Sequence, residues 1–284
     1  MEGGKLNILN RFFSSSNLHA LLNEENPRIL YIIQERHLYA SKKIKSKLNF
    51  VQSVYQILQS DYRNEYFYKN TLLNRLLLGV HSIRTTTALR ELPIGRAKAD
   101  FVLINGKAVV YEIKTELDNL ERLDGQLANY YKAFDHVVVV TSEKHEKNIL
   151  KYVPSKVGVY LLTKKGTFKH LREPIEDTTH IESEVLFKIL RKNEYEKIIK
   201  SHYGQLPQVN QFSYYRTCKD LFANIPLSEA YSMVLKVLKE RILINKECFE
   251  QVPYELKFLV YFSEFKKKDY SRLFDFLNSE FRRK

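Results

Sequence analysis

The chain has 284 residues, enough to bury a sizeable core in one or two domains, and its 46 Lys and Arg against 33 Asp and Glu give a formal net charge of +13. Two cysteines and no Cys-x-x-Cys pair exclude a disulfide scaffold, a four-cysteine zinc site and an iron–sulfur cluster held by four thiolates. No apolar run reaches the length of a membrane span and the first residues lack the apolar stretch of a secretory signal, so a cytoplasmic protein is expected, and its basic balance suits a polyanion such as nucleic acid.

Residues 1–62 read as a helical N-terminal region. The serines from Ser14 to Ser16, with Asn17, suit a helix cap ahead of Leu18-His-Ala-Leu-Leu22, and Ile29-Leu-Tyr-Ile-Ile33 follows. The basic run Lys42-Lys43-Ile-Lys45-Ser-Lys47 reads as a solvated face, with contact to a phosphate backbone as the alternative. It leads into Phe50-Val-Gln-Ser-Val-Tyr-Gln-Ile-Leu58, whose apolar spacing fits an amphipathic helix. A second helix is predicted over 61–80, with Glu65 in a first turn that the helix dipole favours for an acid.

Residues 83–90 are rich in β-branched side chains and predict a strand, and Pro93-Ile-Gly95 turns the chain into a second one. That second strand carries Asp100 ahead of Phe101-Val-Leu-Ile104. Asn105-Gly106 then stands between apolar runs, a hairpin signal because both central positions of the turn want φ > 0. On the returning strand Glu112 and Lys114 share one face, while Tyr111 and Ile113 share the other. A strict two-residue turn would set Asp100 opposite Tyr111. Meeting Glu112 requires one extra residue, as a bulge or a three-residue loop. With that residue, an aspartate, a glutamate and a lysine converge. Two carboxylates in a cleft suit a hard divalent ion such as Mg²⁺ or Mn²⁺, and a lysine beside it can hold an attacking water or neutralise a phosphoryl oxygen.

A helix predicted over 120–134 places Gln126 and Tyr130 at i and i+4, on one face. His136-Val-Val-Val-Val-Thr141 is continuously apolar, as expected of a strand buried on both faces. A charged helix over 143–152, a strand over 157–163, a turn and a return strand over 167–171 complete the order α-β-β-β-α-β-α-β. The fold class is α/β, a mixed sheet flanked by helices. Residues 172–284 change character: a linker precedes helices predicted over 182–192, 193–203, 216–223, 228–243, 254–265 and 270–281. Tyr214-Tyr215-Arg216 mixes aromatics with a base, a composition that can stack on nucleotides but more often packs cores.

Asp100, followed 112 − 100 = 12 positions on by Glu112-Ile113-Lys114 in a strand–turn–strand–helix setting, resembles the PD-(D/E)XK nuclease superfamily. Ala99 departs from the proline that names the motif. Two other Glu-x-Lys copies, Glu255-Leu-Lys257 and Glu264-Phe-Lys266, lie in helical-looking sequence with no Asp-bearing strand before them, so context singles out the first. Gln126-Leu-Ala-Asn-Tyr130 resembles the Gln-x-x-x-Tyr of RecB-like members, where the pair lies beside the metal site and contacts nucleic acid. The resemblance implies a restriction-endonuclease-like core over 63–171 and leaves 172–284 as a helical C-terminal domain. It implies a metal site of Asp100, Glu112 and the Ile113 carbonyl for Mg²⁺ or Mn²⁺, with Lys114 positioning water. Glu65, 100 − 65 = 35 residues before Asp100, is the candidate for an extra ligand, with Glu91 as competitor. The pattern over 63–141 looks like a group of uncharacterised bacterial proteins in this superfamily, which supplies no substrate. The expected function is metal-dependent phosphodiester hydrolysis, with DNA favoured over RNA and no membrane involvement. The alternatives are a nucleic-acid-binding or protein-interaction module on an inactive nuclease-like fold. A homodimer, an unidentified protein partner, and a phage-defence or mobile-element setting are left open.

Overall fold

The computed structural model describes residues 2–23, 28–38, 44–79 and 85–281. Contacts divide the chain into two compact units. One holds Met1–Val80, Lys164–Thr167 and Leu243–Lys284; the other holds His81–Thr163 and Phe168–Ile242.

The first unit opens with α1 (Glu2–Phe12), α2 (Ser15–Leu22), α3 (Arg28–His37), α4 (Lys47–Ser60) and α5 (Glu65–Leu72), the last continued by a π-helical turn over Leu73–Leu78. Ser14, Ser46 and Asn64 each accept an N-terminal amide and so cap α2, α4 and α5. Lys42 and Lys43 of the basic run, and residues 83–84 of the predicted strand, lie outside the described residues.

The second unit is a mixed α/β structure. Its strands are β1 (Thr87–Ile94), β2 (Ala97–Asn105), β3 (Lys107–Lys114), β4 (His136–Ser142), β5 (Gly158–Leu162) and β6 (Phe168–Arg172). They form one six-stranded sheet in the order β1-β2-β3-β4-β5-β6. The β3–β4 and β4–β5 pairs are parallel and the others antiparallel. Between β3 and β4 runs α6 (Leu123–Tyr130), and between β4 and β5 runs α7 (Glu146–Tyr152). Every residue of β4 is buried, as its unbroken valine run demands. After β6 come α8 (Ser183–Lys188), α9 (Lys192–Tyr203), α10 (Gln211–Ala223) and α11 (Leu227–Lys239). Their apolar stripes join the sheet in one core: Val102, Val110, Val137 and Val139 cluster with Leu127 of α6, Phe187 of α8, Ile198 of α9, Phe222 of α10 and Val234 of α11. The chain then returns to the first unit with α12 (Lys246–Glu250), α13 (Lys257–Tyr261) and α14 (Lys267–Asn278). The compact units thus cut the expected stretch 172–284 near residue 242. Apolar faces up to α11 answer the sheet, and later ones answer the N-terminal helices.

Local differences have local causes. Strand β1 runs on through Pro93, whose missing N–H is tolerated because β1 is an edge strand. The turn instead falls at Gly95, where φ is +59° and a Cβ would meet Asn129 Oδ1 at 2.2 Å, so a side chain there would strain the backbone and push Asn129 aside. Helix α10 starts at Gln211 rather than 216, because the Asn210 side chain caps it. The helix expected over 254–265 is a 3₁₀ turn (Tyr254–Leu256) followed by α13, and Glu264 sits at φ +51° beyond it. Glu264-Phe-Lys266 is therefore not helical. Among the described residues no helix is long and apolar enough to cross a membrane.

Candidate functional site

Strands β2 and β3 pair Phe101 with Tyr111, Ile104 with Ala108 and Asn105 with Lys107, leaving Gly106 at the tip with φ +73°. The connection is therefore a three-residue loop, Asn105-Gly-Lys107, and it supplies the extra residue the chemistry requires. Continued by one position, this register sets Asp100 across from Glu112. The parallel neighbour β4 pairs Val139 with Glu112 and Thr141 with Lys114.

The side chains meet as a bonded network. Asp100 is half-buried, and its Oδ2 accepts the Ile113 N–H at 2.9 Å. Glu112 is 2 % exposed. Its Oε1 lies 2.9 Å from Lys114 Nζ, and its Oε2 accepts the Tyr130 hydroxyl at 2.5 Å. Lys114 Nζ also donates to Gln126 Oε1 at 2.8 Å. A buried carboxylate and ammonium are tolerable only when paired and hydrogen-bonded in this way. Thr141, which the sequence pattern did not single out, donates its hydroxyl to the Lys114 carbonyl at 2.8 Å and steadies the strand there.

Helix α6 is held in place from both ends. Thr115 donates its N–H and its hydroxyl to Asp118 Oδ2, both at 2.8 Å, which shapes the link from β3. The Arg96 N–H donates to Asn129 Oδ1 at 3.0 Å, tying the helix to the β1–β2 turn at Gly95. Gln126 and Tyr130, one turn apart, consequently face β3.

Burial, then the charge of Glu112 and its hydrogen bond, push the Tyr130 pKa far above the ordinary phenol value, and Asp100 adds to the effect. Tyr130 is thus a lasting proton donor, and both carboxylates act on the one hydroxyl. The RecB-like resemblance implied that this ring touches nucleic acid. The ring is fully buried, and its hydroxyl reaches Glu112 with the Lys98 carbonyl 3.0 Å away, which is the geometry of a residue that positions the carboxylate.

Glu65 belongs to the first unit, where it is largely exposed and pairs with Lys69 one turn along α5. Glu91 stands at the register position across β1 from Asp100. There φ is +51°, and the ladder skips from Arg90–Phe101 to Leu92–Ala99. Its carboxylate is exposed and lies 3.5 Å from Lys98 Nζ. Among the described residues no three His, Cys, Asp or Glu side chains gather as a ligand group. The donors at the hairpin are two carboxylates and backbone carbonyls. Each Glu112 oxygen is engaged once and keeps a further lone pair. That oxygen-only set fits Mg²⁺ or Mn²⁺, which are held by one or two carboxylates with waters completing the shell.

A family model described as bacteriophage P4 protein cII matches residues 58–256, a span that contains the whole network. Protein cII of Enterobacteria phage P4 is 40% identical over 62 residues, which are 22% of this chain and 24% of that protein. The chain thus aligns with about a quarter of that relative's length. A solved structure of a protein of unknown function from Silicibacter pomeroyi aligns with 33% of this chain and 63% of its own, at 14% identity and a TM-score of 0.27.

Proposed function

The chain belongs to the family of bacteriophage P4 protein cII, whose name specifies no chemistry, and from the hairpin's geometry we propose that it is a metal-dependent nuclease of the PD-(D/E)XK type acting on DNA. The observation that carries the reading is the single network joining Asp100, Glu112, Lys114, Gln126 and Tyr130. Asp100, Glu112 and the Ile113 carbonyl would hold the cation. A divalent cation there supplies concentrated positive charge for phosphodiester hydrolysis. The Ile113 N–H orients Asp100, and Tyr130 fixes Glu112. Lys114 Nζ spends two of its three N–H groups on Glu112 and Gln126, leaving the third for an attacking water or a phosphoryl oxygen. The proposed setting is cytoplasmic, where nucleic acid is within reach, and the net charge of +13 agrees with such a substrate.

The test is cleavage of duplex and single-stranded DNA by purified protein in Mg²⁺ or Mn²⁺. Lys114→Ala should lower the rate by about a hundredfold or more, the scale of a lost proton-handling group. Because that change also unpairs a buried glutamate, Asp100→Asn, at a half-exposed position, is the companion variant. Equal background cleavage by wild type and both variants on duplex, single-stranded, branched and RNA substrates ends the proposal.

A further inference from the structure

Helix α10 turns an unusual face outward. Phe212, Tyr215, Arg216 and Lys219 fall at i, i+3, i+4 and i+7, which places them on one stripe. Phe212 is 101% exposed and Tyr215 52% exposed. A cluster of exposed large aromatics costs solubility and asks for a partner.

Two features narrow the partner. The first is rigidity. Tyr215 is braced from below by Phe187 and Tyr195, with ring centroids 5.3 and 6.2 Å away, so its outer surface is presented without further ordering. Asn210 caps the helix by accepting the Ser213 N–H at 3.0 Å, which fixes the turn that carries Phe212. The second is charge. The Arg216 guanidinium is exposed and makes no hydrogen bond or ion pair among the described residues. Lys219 and Lys188 share the single acid Glu184, at 2.8 and 2.9 Å, which leaves that trio net positive. Asp220 lies at the stripe's edge. Aromatic faces alternating with a flat, unpaired guanidinium and lysines match splayed bases joined by phosphates. A duplex keeps its bases stacked inside and cannot offer their faces.

We propose that the α10 stripe is a binding platform for single-stranded nucleic acid, on which Phe212 and Tyr215 stack on bases and Arg216 and Lys219 engage the backbone. The platform goes beyond the hairpin's chemistry and does not depend on it, since a strand can bind in a protein that cleaves nothing.

The experiment is fluorescence anisotropy of labelled oligo(dT) and oligo(rU), each about 15 nucleotides, a length within the range such platforms cover. It is run in EDTA with the full chain. Phe212→Ala and Tyr215→Ala should each weaken binding by about tenfold in at least one of the two arms, with the salt slope unchanged. Arg216→Ala should flatten the slope of log K against log salt by about one. Leu150→Ala, at another exposed apolar position, serves as the control and should bind as wild type. Circular dichroism checks the fold, which the fully exposed Phe212 does not support. The proposal is overturned if wild type binds neither oligonucleotide at low salt, or if the aromatic variants bind both as tightly as wild type. It is equally overturned if Phe212→Ala abolishes self-association in sedimentation while oligonucleotide binding stays the same, since the stripe would then be a protein contact. None of these outcomes bears on the Lys114 cleavage test.

Discussion

Tyr130 spends its hydroxyl on Glu112, and burial together with that carboxylate keeps the phenol protonated. Its part in the proposed reaction is to fix one carboxylate oxygen, so the signature of its loss differs from that of a residue touching substrate. In Tyr130→Phe the ring still fills its pocket, while Glu112 is left with Lys114 alone. The expected outcome is a cation requirement raised about tenfold or more, the usual effect of losing a partner behind a metal ligand, with KM for DNA unchanged. A raised KM at an unaltered cation requirement would show that the ring meets the strand instead. That Asp100, Glu112 and Lys114 come together was legible in the chain, because strand alternation and the turn fix which side chains share a face. The burial of Tyr130 was not, because an i, i+4 spacing shows that two side chains share a helix face and not which depth the sheet assigns to each. Glu91 was equally opaque at its position, since nothing in Arg-Glu-Leu announces a residue at φ +51°.

Among the elements, α9 carries the clearest electrostatic constraint. Glu194 accepts the Arg191 N–H at 2.7 Å, closing the first turn, and meets Arg241 through two bonds of 2.6 Å, with both side chains 8% exposed. Burial pushes the Glu194 carboxyl up, but the Arg241 bonds and the Arg191 amide outweigh it and hold the group below its ordinary value of 4.5. A folded pKa below the unfolded one contributes stability that is present above pH 4.5 and fades as pH falls through the depressed value. Glu194→Gln should therefore cost about 3 kcal/mol at neutral pH, the scale for stranding one partner of a buried pair. The gap from wild type should narrow in urea melts run below pH 4.5. A gap that stays constant down to the acid limit would mean that the loss does not come from the ionised pair. This element was expected almost to the residue, and Gly204, at φ +79°, closes it in the structure. The hairpin register was legible only as a requirement: the sequence demanded one extra residue, and the three-residue loop met it. The start of α10 was missed because one capping asparagine outweighs the weak helix preference of the residues after it.

On the scale of the whole chain, the first unit is built from segments far apart in sequence. Asn70 in α5 is fully buried and joins them with three bonds. Its amide donates to the Tyr55 hydroxyl and to the Tyr254 carbonyl, each at 3.0 Å, and its Oδ1 accepts the Phe258 N–H at 3.0 Å. Tyr66 adds a bond of 2.5 Å to the Glu255 carbonyl. Such partners, 184 and 188 positions away from Asn70, leave no trace in local periodicity. A reading that proceeds by neighbouring residues therefore keeps 172–284 together, although the contacts divide it. Asn70→Ala would remove all three bonds at once, stranding the buried Phe258 N–H and leaving the Tyr254 carbonyl with only the longer 3.3 Å bond from Asn74. The loss should be on the order of 2–4 kcal/mol, one to three for each stranded group less what the pocket recovers by relaxing. Because both ends share one core, hydrogen exchange should rise together in α5 and in the stretch from Tyr254 through α13. Faster exchange confined to α5 would show that the two ends of the chain are held by something other than this asparagine.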